Sequence, residues 1–364
     1  MHFQIRRAAT LLLAAASAGA TLAAEDFRVR YNLAGSIGGE IFAQQNNAGW
    51  IGALAYTYID GRKVTGDDGN KLGITTAPGT VPLSAPQATP LDPVYGANRV
   101  ALQTSGHANV MALALGYITE ERYGGGQLIF GAVLPMAQST SEVRASAATP
   151  ALNWPHPAQP DKKALVQGQF AAAYQTRLSD LVAAESGKIS GLGDLELAAG
   201  WMLQDGPWKV RAGAAWVLPT GAYSAASRPN IGFGNYYTLR PEVQVTYLPT
   251  AKTALSGKLI MGFNSRNKDN QLKSGDWIGL EAAAGYMTPI GPVGLHGVHV
   301  KQYQDDQNNP LFGSSRLQLT GLGAFFTTRL PVIDTIVTLQ YMVTTRSRNA
   351  RHSNFSQLRL VQQF

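Results

Sequence analysis

The 364-residue chain contains no cysteine. That excludes a disulfide framework, a thiolate metal site and a cysteine nucleophile. Charge is scarce too: 15% of residues are Asp, Glu, Lys or Arg, with a formal net charge of +7. No dense basic stripe is present, so nucleic acid is not expected as a partner. Beyond the N-terminus no run reaches the roughly 18 apolar residues that a membrane helix needs. Yet 45% of residues are apolar and 39 are glycine. Either the apolar residues form an ordinary core or they are spread one-in-two along strands, and periodicity decides between these.

The first stretch, MHFQIRRAATLLLAAASAGATLAA, places Arg6 and Arg7 before an apolar run and ends in small residues up to Ala24. This is the order of a secretory signal peptide, and Ser17 and Gly19 interrupt the run too early for an anchor. Cleavage after Ala20 fits the small-x-small rule; a site a few residues later fits as well. Residues 1–24 hold two of the 30 basic residues and none of the 23 acidic ones, so the mature net charge falls from +7 to +5. That mild excess is a weak pointer to anionic partners.

From Gly193 onward, alternation is plain. NYYTLRPEVQVTYL (235–248) puts Tyr237, Leu239, Val243, Val245 and Tyr247 on one face and Arg240, Glu242 and Gln244 on the other. A strand sorts such residues cleanly, whereas a helix would scatter them. Twelve segments read this way, approximately 48–60, 107–118, 127–146, 193–203, 208–222, 235–248, 253–266, 275–288, 293–304, 315–330, 335–348 and 354–364. Their connections alternate between tight turns (120–126, 204–207, 249–252, 289–292, 331–334) and longer polar loops (61–106, 147–192, 223–234, 267–274, 305–314, 349–353). The pattern predicts an all-β fold, a transmembrane antiparallel β-barrel of about 12 strands (12–14) in a Gram-negative outer membrane, with short periplasmic turns and long extracellular loops. Trp208, Trp216, Tyr237, Tyr247, Tyr286 and Tyr341 near the ends of the apolar faces fit the interfacial girdles of such a barrel. A secreted β-sandwich would explain the alternation but not the turn asymmetry.

The domain reading is a signal peptide at 1–24, an N-terminal segment at 25–47 and a barrel at 48–364. Residues 25–47 could be a plug folded into the lumen, a strand of their own or a periplasmic leader; Gly35, Gly38 and Gly39 suit a plug that bends sharply. Residues 161–187 carry Leu165, Ala172, Leu178, Leu181 and Val182 at helical spacing, with Asp161 placed to cap, and predict a loop helix.

GLGDLELAAGWML (191–203), VLPTGAY (217–223) and NIGFGNYYTLRPEVQVTYL (230–248), in that order, resemble the signature blocks of the "meta-pathway of phenol degradation" outer-membrane proteins. RYNLAGSIGGEIFA (30–43) resembles that family's N-terminal block, and the likeness runs from about Arg30 to the C-terminus. The resemblance implies an outer-membrane channel whose genes accompany breakdown of aromatic or other hydrophobic compounds.

If the apolar faces meet lipid, the opposite faces line the lumen. The substrate-path residues are then Glu196, Arg211, Arg240, Glu242, Gln244, Lys258, Glu281, Arg316, Arg346 and Arg359, with Lys209, Arg266, Gln318 and Gln340 beside them. Their basic excess favours anionic or carboxylate-bearing solutes, because charged rings set pore selectivity; cross-strand ion pairs filling a narrow barrel are the structural alternative. No cofactor or metal is expected: TGDDGN (65–70) lacks a calcium loop's ligand spacing and reads as a turn. No G-x-S-x-G or H-E-x-x-H occurs, so no enzyme and no catalytic residues are expected.

The expected function is passive, selective uptake of small hydrophobic or aromatic compounds, aromatic acids among them; the alternatives are a non-transporting surface barrel, structural or adhesin-like, and a barrel hydrolase. Expected partners are outer-membrane lipids, the solute, and the barrel-assembly machinery through the terminal aromatic Phe364 of FSQLRLVQQF.

Overall fold

A computed structural model describes residues 24–43, 47–83, 88–226, 228–309, 315–332 and 334–364. The signal-peptide expectation therefore lies outside the described residues, apart from Ala24. Twelve strands form the wall: β1 (Gly49–Val64), β2 (Asn98–Tyr123), β3 (Gly126–Ser146), β4 (Glu196–Asp205), β5 (Trp208–Val217), β6 (Thr238–Thr250), β7 (Thr253–Asn264), β8 (Trp277–Thr288), β9 (Gly291–Gln302), β10 (Gln318–Leu330), β11 (Thr335–Arg348) and β12 (Arg351–Gln363). Each pairs antiparallel with its sequence neighbours, and β1 also pairs with β12, for example Tyr56 opposite Leu358. The ring is closed, so every strand has two partners and no edge remains.

Side chains alternate across the wall. Leu280, Leu322, Leu339 and Leu358 project outward and stay exposed, while Ile260, Val298, Leu319 and Phe355 between such positions are buried inside. An apolar band on the outside of a closed barrel is a surface built for lipid, since closure satisfies every backbone group of the wall. Aromatic pairs sit on that surface: Trp208 stacks on Tyr247 with centroids 4.4 Å apart, and Trp216 lies 5.7 Å from Tyr237. The C-terminal strand ends in the wall, where the Phe364 N–H donates to the Trp50 carbonyl at 2.8 Å.

Three connections differ from the sequence expectation. The β11–β12 link is a two-residue turn rather than a loop, because Asn349 takes a left-handed conformation (φ 47°). β2 and β3 run well past the other strands, to 26 and 21 residues; the outer end of β2 carries a short strand, Gly73–Thr76, and that of β3 another, Gly187–Leu192. The expected loop helix is present as α1 (Pro160–Glu185), but Asp161 is not its cap. Gln159 holds the N-cap position without a side-chain bond, and Pro160 sits in the first turn, where its missing N–H costs nothing.

Candidate functional site

The inner wall is made of two unlike parts. On β1–β3 the inward positions are small or apolar: Ala53, Ala55 and Ile59; Ala108, Val110 and Ala112; Val133, Pro135 and Ala137. From β4 to β12 the inward positions carry the charge. Glu196 pairs with Arg240 across β5, where they lie opposite Val217 and Ala215. Glu242 pairs with Lys258 at 3.0 Å, and Gln244 donates to Ser256 Oγ at 3.2 Å, with Arg211 opposite Gln244 on the β5–β6 ladder. Thus Glu196, Arg211, Arg240, Glu242, Gln244, Lys258, Glu281 and Arg359 share the inner wall.

Two expected lining residues do not. Arg316 lies in the loop ahead of β10, where it grips Asp305 at 2.6 Å. Arg346 is turned outward by a β-bulge. The β10–β11 register pairs Thr320 with Arg346 but Gly321 with Thr344, so Thr345 is the extra residue and the alternation inverts beyond it. Buried Ser347 then faces inward opposite buried Leu319, and Arg346 faces out. Of the secondary candidates, Arg266 binds Gln271 and Gln307 in an extracellular loop.

The charged wall meets residues 26–43, which run past it from the long-loop end to the short-turn end. Arg30 donates to Asp194 Oδ2 at 2.9 Å, to the Gly234 and Tyr236 carbonyls and to Thr238, and its guanidinium lies 4.0 Å from the Tyr236 ring centre. Glu281 accepts from Tyr31 Oη at 2.6 Å, from the Ser36 N–H and hydroxyl and from the Ile37 N–H. Gly35 has φ +87°, and a Cβ there would sit 2.6 Å from His296 Nδ1, so that approach needs glycine. Farther down, Glu40 binds Arg359 at 2.6 Å and Thr338 at 2.9 Å, while Lys209 Nζ donates to the Ile41 carbonyl at 2.8 Å.

Asp194 is the residue that sequence reasoning missed as a site. It lies in the GLGD block and accepts from Gly221 N of the PTG block at 2.9 Å and from Phe233 N of the N-x-G block at 3.1 Å. With Arg30 bound to the same Oδ2 that Phe233 reaches, all four signature stretches meet at one carboxylate. Their common order in the sequence was the signal; the convergence needed coordinates.

A cavity of about 620 Å³ lies between residues 27–36 and the β1–β3 wall. Ile59, Ile74, Leu102, Val110, Val133, Val143 and Phe355 line it along one side, and Arg240, Lys258 and Glu281 reach it from the other. Over its outer end, Leu178 and Leu181 of α1 pack with Phe27, Leu72, Val100 and Leu102. Asp26 anchors that end to Arg228 and to Arg28, with Arg28 at 3.2 Å. Burial would raise its carboxyl, but Arg228, Arg28 and Arg351 hold it below the usual range. Glu185, at the end of α1, is pushed up to about 7, chiefly by burial and against the pull of Arg228.

Other candidates resolve into structure. Asp67 binds Arg348 at 2.7 Å and Asp68 closes on Asn70, which makes 65–70 a turn. Ser347 Oγ lies 3.0 Å from His352 Nδ1, the one serine–histidine contact among the described residues; its serine is buried and no carboxylate orients the ring there.

Fold and wall together define an outer-membrane β-barrel. The chain belongs to the family described as "Putative MetA-pathway of phenol degradation", whose model matches residues 91–360. Among solved structures it resembles an outer-membrane channel from Pseudomonas putida F1, at 15% identity and a TM-score of 0.63, covering 91% of this chain and 100% of that one. The β domain of the Bordetella autotransporter BrkA (10% identity, TM-score 0.40, 87% and 100% coverage) and the CymD monoaromatic hydrocarbon channel (12%, 0.38, 92% and 95%) are more distant. Comparison with curated proteins gives no match.

Proposed function

We propose that the protein is an outer-membrane channel for passive, selective uptake of small hydrophobic or aromatic molecules. The observation that carries this reading is the apolar cavity along β1–β3, facing the segment that fills the rest of the lumen. In a barrel of twelve strands, intermediate between filled and open ones, residues 26–43 act as a plug that leaves little free water path. The charged lining residues serve to hold that plug. Glu196 with Arg240, Glu242 with Lys258 and Glu40 with Arg359 are paired, so the wall's basic excess is largely neutralised in place and does not favour acids over neutral solutes. Membership in a family named for phenol degradation and likeness to channel folds support the solute class by association.

Residues 1–24 serve as the export signal, and Phe364 at the membrane surface serves as the mark read by the barrel-assembly machinery. A channel rather than a hydrolase is favoured because the Ser347–His352 contact lacks an orienting acid. The test is uptake by liposomes containing the purified protein. Small neutral aromatics should enter faster than sugars of the same size; liposomes that stay impermeable to every aromatic tested would remove the reading.

A further inference from the structure

The bulge at Thr345 has an outer consequence. Cross-strand rows on the outside of β9, β10 and β11 run Gly297–Leu322–Val343, then His299–Thr320–Arg346, then Lys301–Gln318–Arg348 toward the extracellular end. The first row belongs to the apolar band, with Leu322 fully in the lipid-facing set. The next two rows are polar and basic, so the change of chemistry falls at the level where lipid tails give way to headgroups.

The acids near these rows are already engaged: Asp67 holds Arg348 through two bonds and Asp305 holds Arg316. Lys301 and Arg346 make no ion pair among the described residues. They stand two strands and one row apart, roughly 12 Å at the usual strand spacing and rise, within the combined reach of two long side chains converging on one anion. Between them Thr320 Oγ1 lies 2.8 Å from His299 Nδ1, adding a hydroxyl and a ring nitrogen. Without the extra residue at 345, Arg346 would point into the lumen; bulges commonly re-aim a side chain in this way.

We propose that Lys301 and Arg346, with Thr320 between them, bind a phosphate group of the phosphorylated glycolipid of the outer leaflet. Charge complementarity selects this occupant: two outward cations at headgroup depth face a leaflet whose lipids present phosphates there. The lipid clamps β9 to β11 at the extracellular rim, separately from any solute inside the barrel, so the inference is independent of the transport reading.

The experiment uses the full-length protein purified in detergent and incubated with bis-phosphorylated lipid A, or with the same lipid stripped of phosphate. Retained lipid is read by native mass spectrometry. The wild type should retain the phosphorylated lipid preferentially. Lys301→Ala with Arg346→Ala should cut that retention about thirtyfold, the loss of two cations at a lipid surface, while Lys301→Arg with Arg346→Lys keeps the preference. Arg122→Ala with Lys252→Ala, at the opposite rim, should leave it unchanged. Heat-modifiable migration on gels verifies that each variant is a folded barrel. Equal retention of both lipids by the wild type, or unchanged retention by the double alanine variant, overturns the proposal.

Discussion

The two parts of the lumen wall differ in what they can hold. From β4 to β12 the inward side chains include the charged groups of the wall, interleaved with apolar ones such as Ile260, Val298 and Leu319, and the charged groups spend their hydrogen bonds on residues 26–43 and on each other. On β1–β3 the inward side chains are mostly small or aliphatic, from Ala112 to Ile59 and Leu102, and the cavity lies against them. The difference teaches that polarity in this barrel is used to fix a segment of the chain in place. The space left for a solute is bounded by the wall that has nothing to bind the segment with.

The contrast can be broken from the polar side first. Deleting residues 26–43 should raise ion conductance in planar bilayers on the order of tenfold, since an unplugged twelve-strand lumen is an open pore. From the apolar side, Ala112→Trp should cut aromatic uptake by liposomes several-fold while gel migration stays that of a folded barrel. A single anchor is a smaller step. Asp194→Ala leaves Arg30 buried without its carboxylate, and loss of one partner of a buried pair costs about 3–5 kcal/mol, readable by urea unfolding in vesicles.

Glu185 tests the outer end. Its carboxyl is raised to about 7 in the folded protein from the ordinary 4.5, so its contribution to holding α1 is fully present below about 4.5. That contribution is lost as pH rises through about 7, when the buried group ionises. A spin label at exposed Ala183 should therefore become more mobile between those values, and Glu185→Gln should flatten the profile. The smallest effect belongs to the exposed pair Arg62–Asp60: Arg62→Ala should change stability by less than about 1 kcal/mol.

The same contrast decided how much the sequence could tell. β4 to β12 mostly alternate apolar with polar or small residues, so their number and order were legible from residues alone, while the tight β11–β12 turn was not. On β2, small apolar residues such as Ala108 and Ala112 alternate with larger apolar ones such as Met111 and Leu113, which blurs the period and hides the strand's true length. Eight lining residues fell on the inner wall because strict alternation placed them there. Arg346 did not, since one extra residue inverts every side chain beyond it and a bulge leaves no mark in composition. Arg316 sits two residues before its strand begins, at the boundary where alternation stops reporting direction. The bonds from residues 26–43 were illegible because that segment has no period, and its partners lie far along the chain, as Arg359 does from Glu40.

The most direct test of the two-walled lumen uses the chain's lack of cysteine. Ala112→Cys on the apolar wall and Gln340→Cys on the charged wall, in separate proteins in vesicles, are labelled with a small maleimide with and without a saturating neutral aromatic. The solute should slow labelling at position 112, while position 340, covered where the Gln340 side chain bonds the Ile37 carbonyl, reacts slowly either way. Protection at 340 with none at 112 would contradict the account.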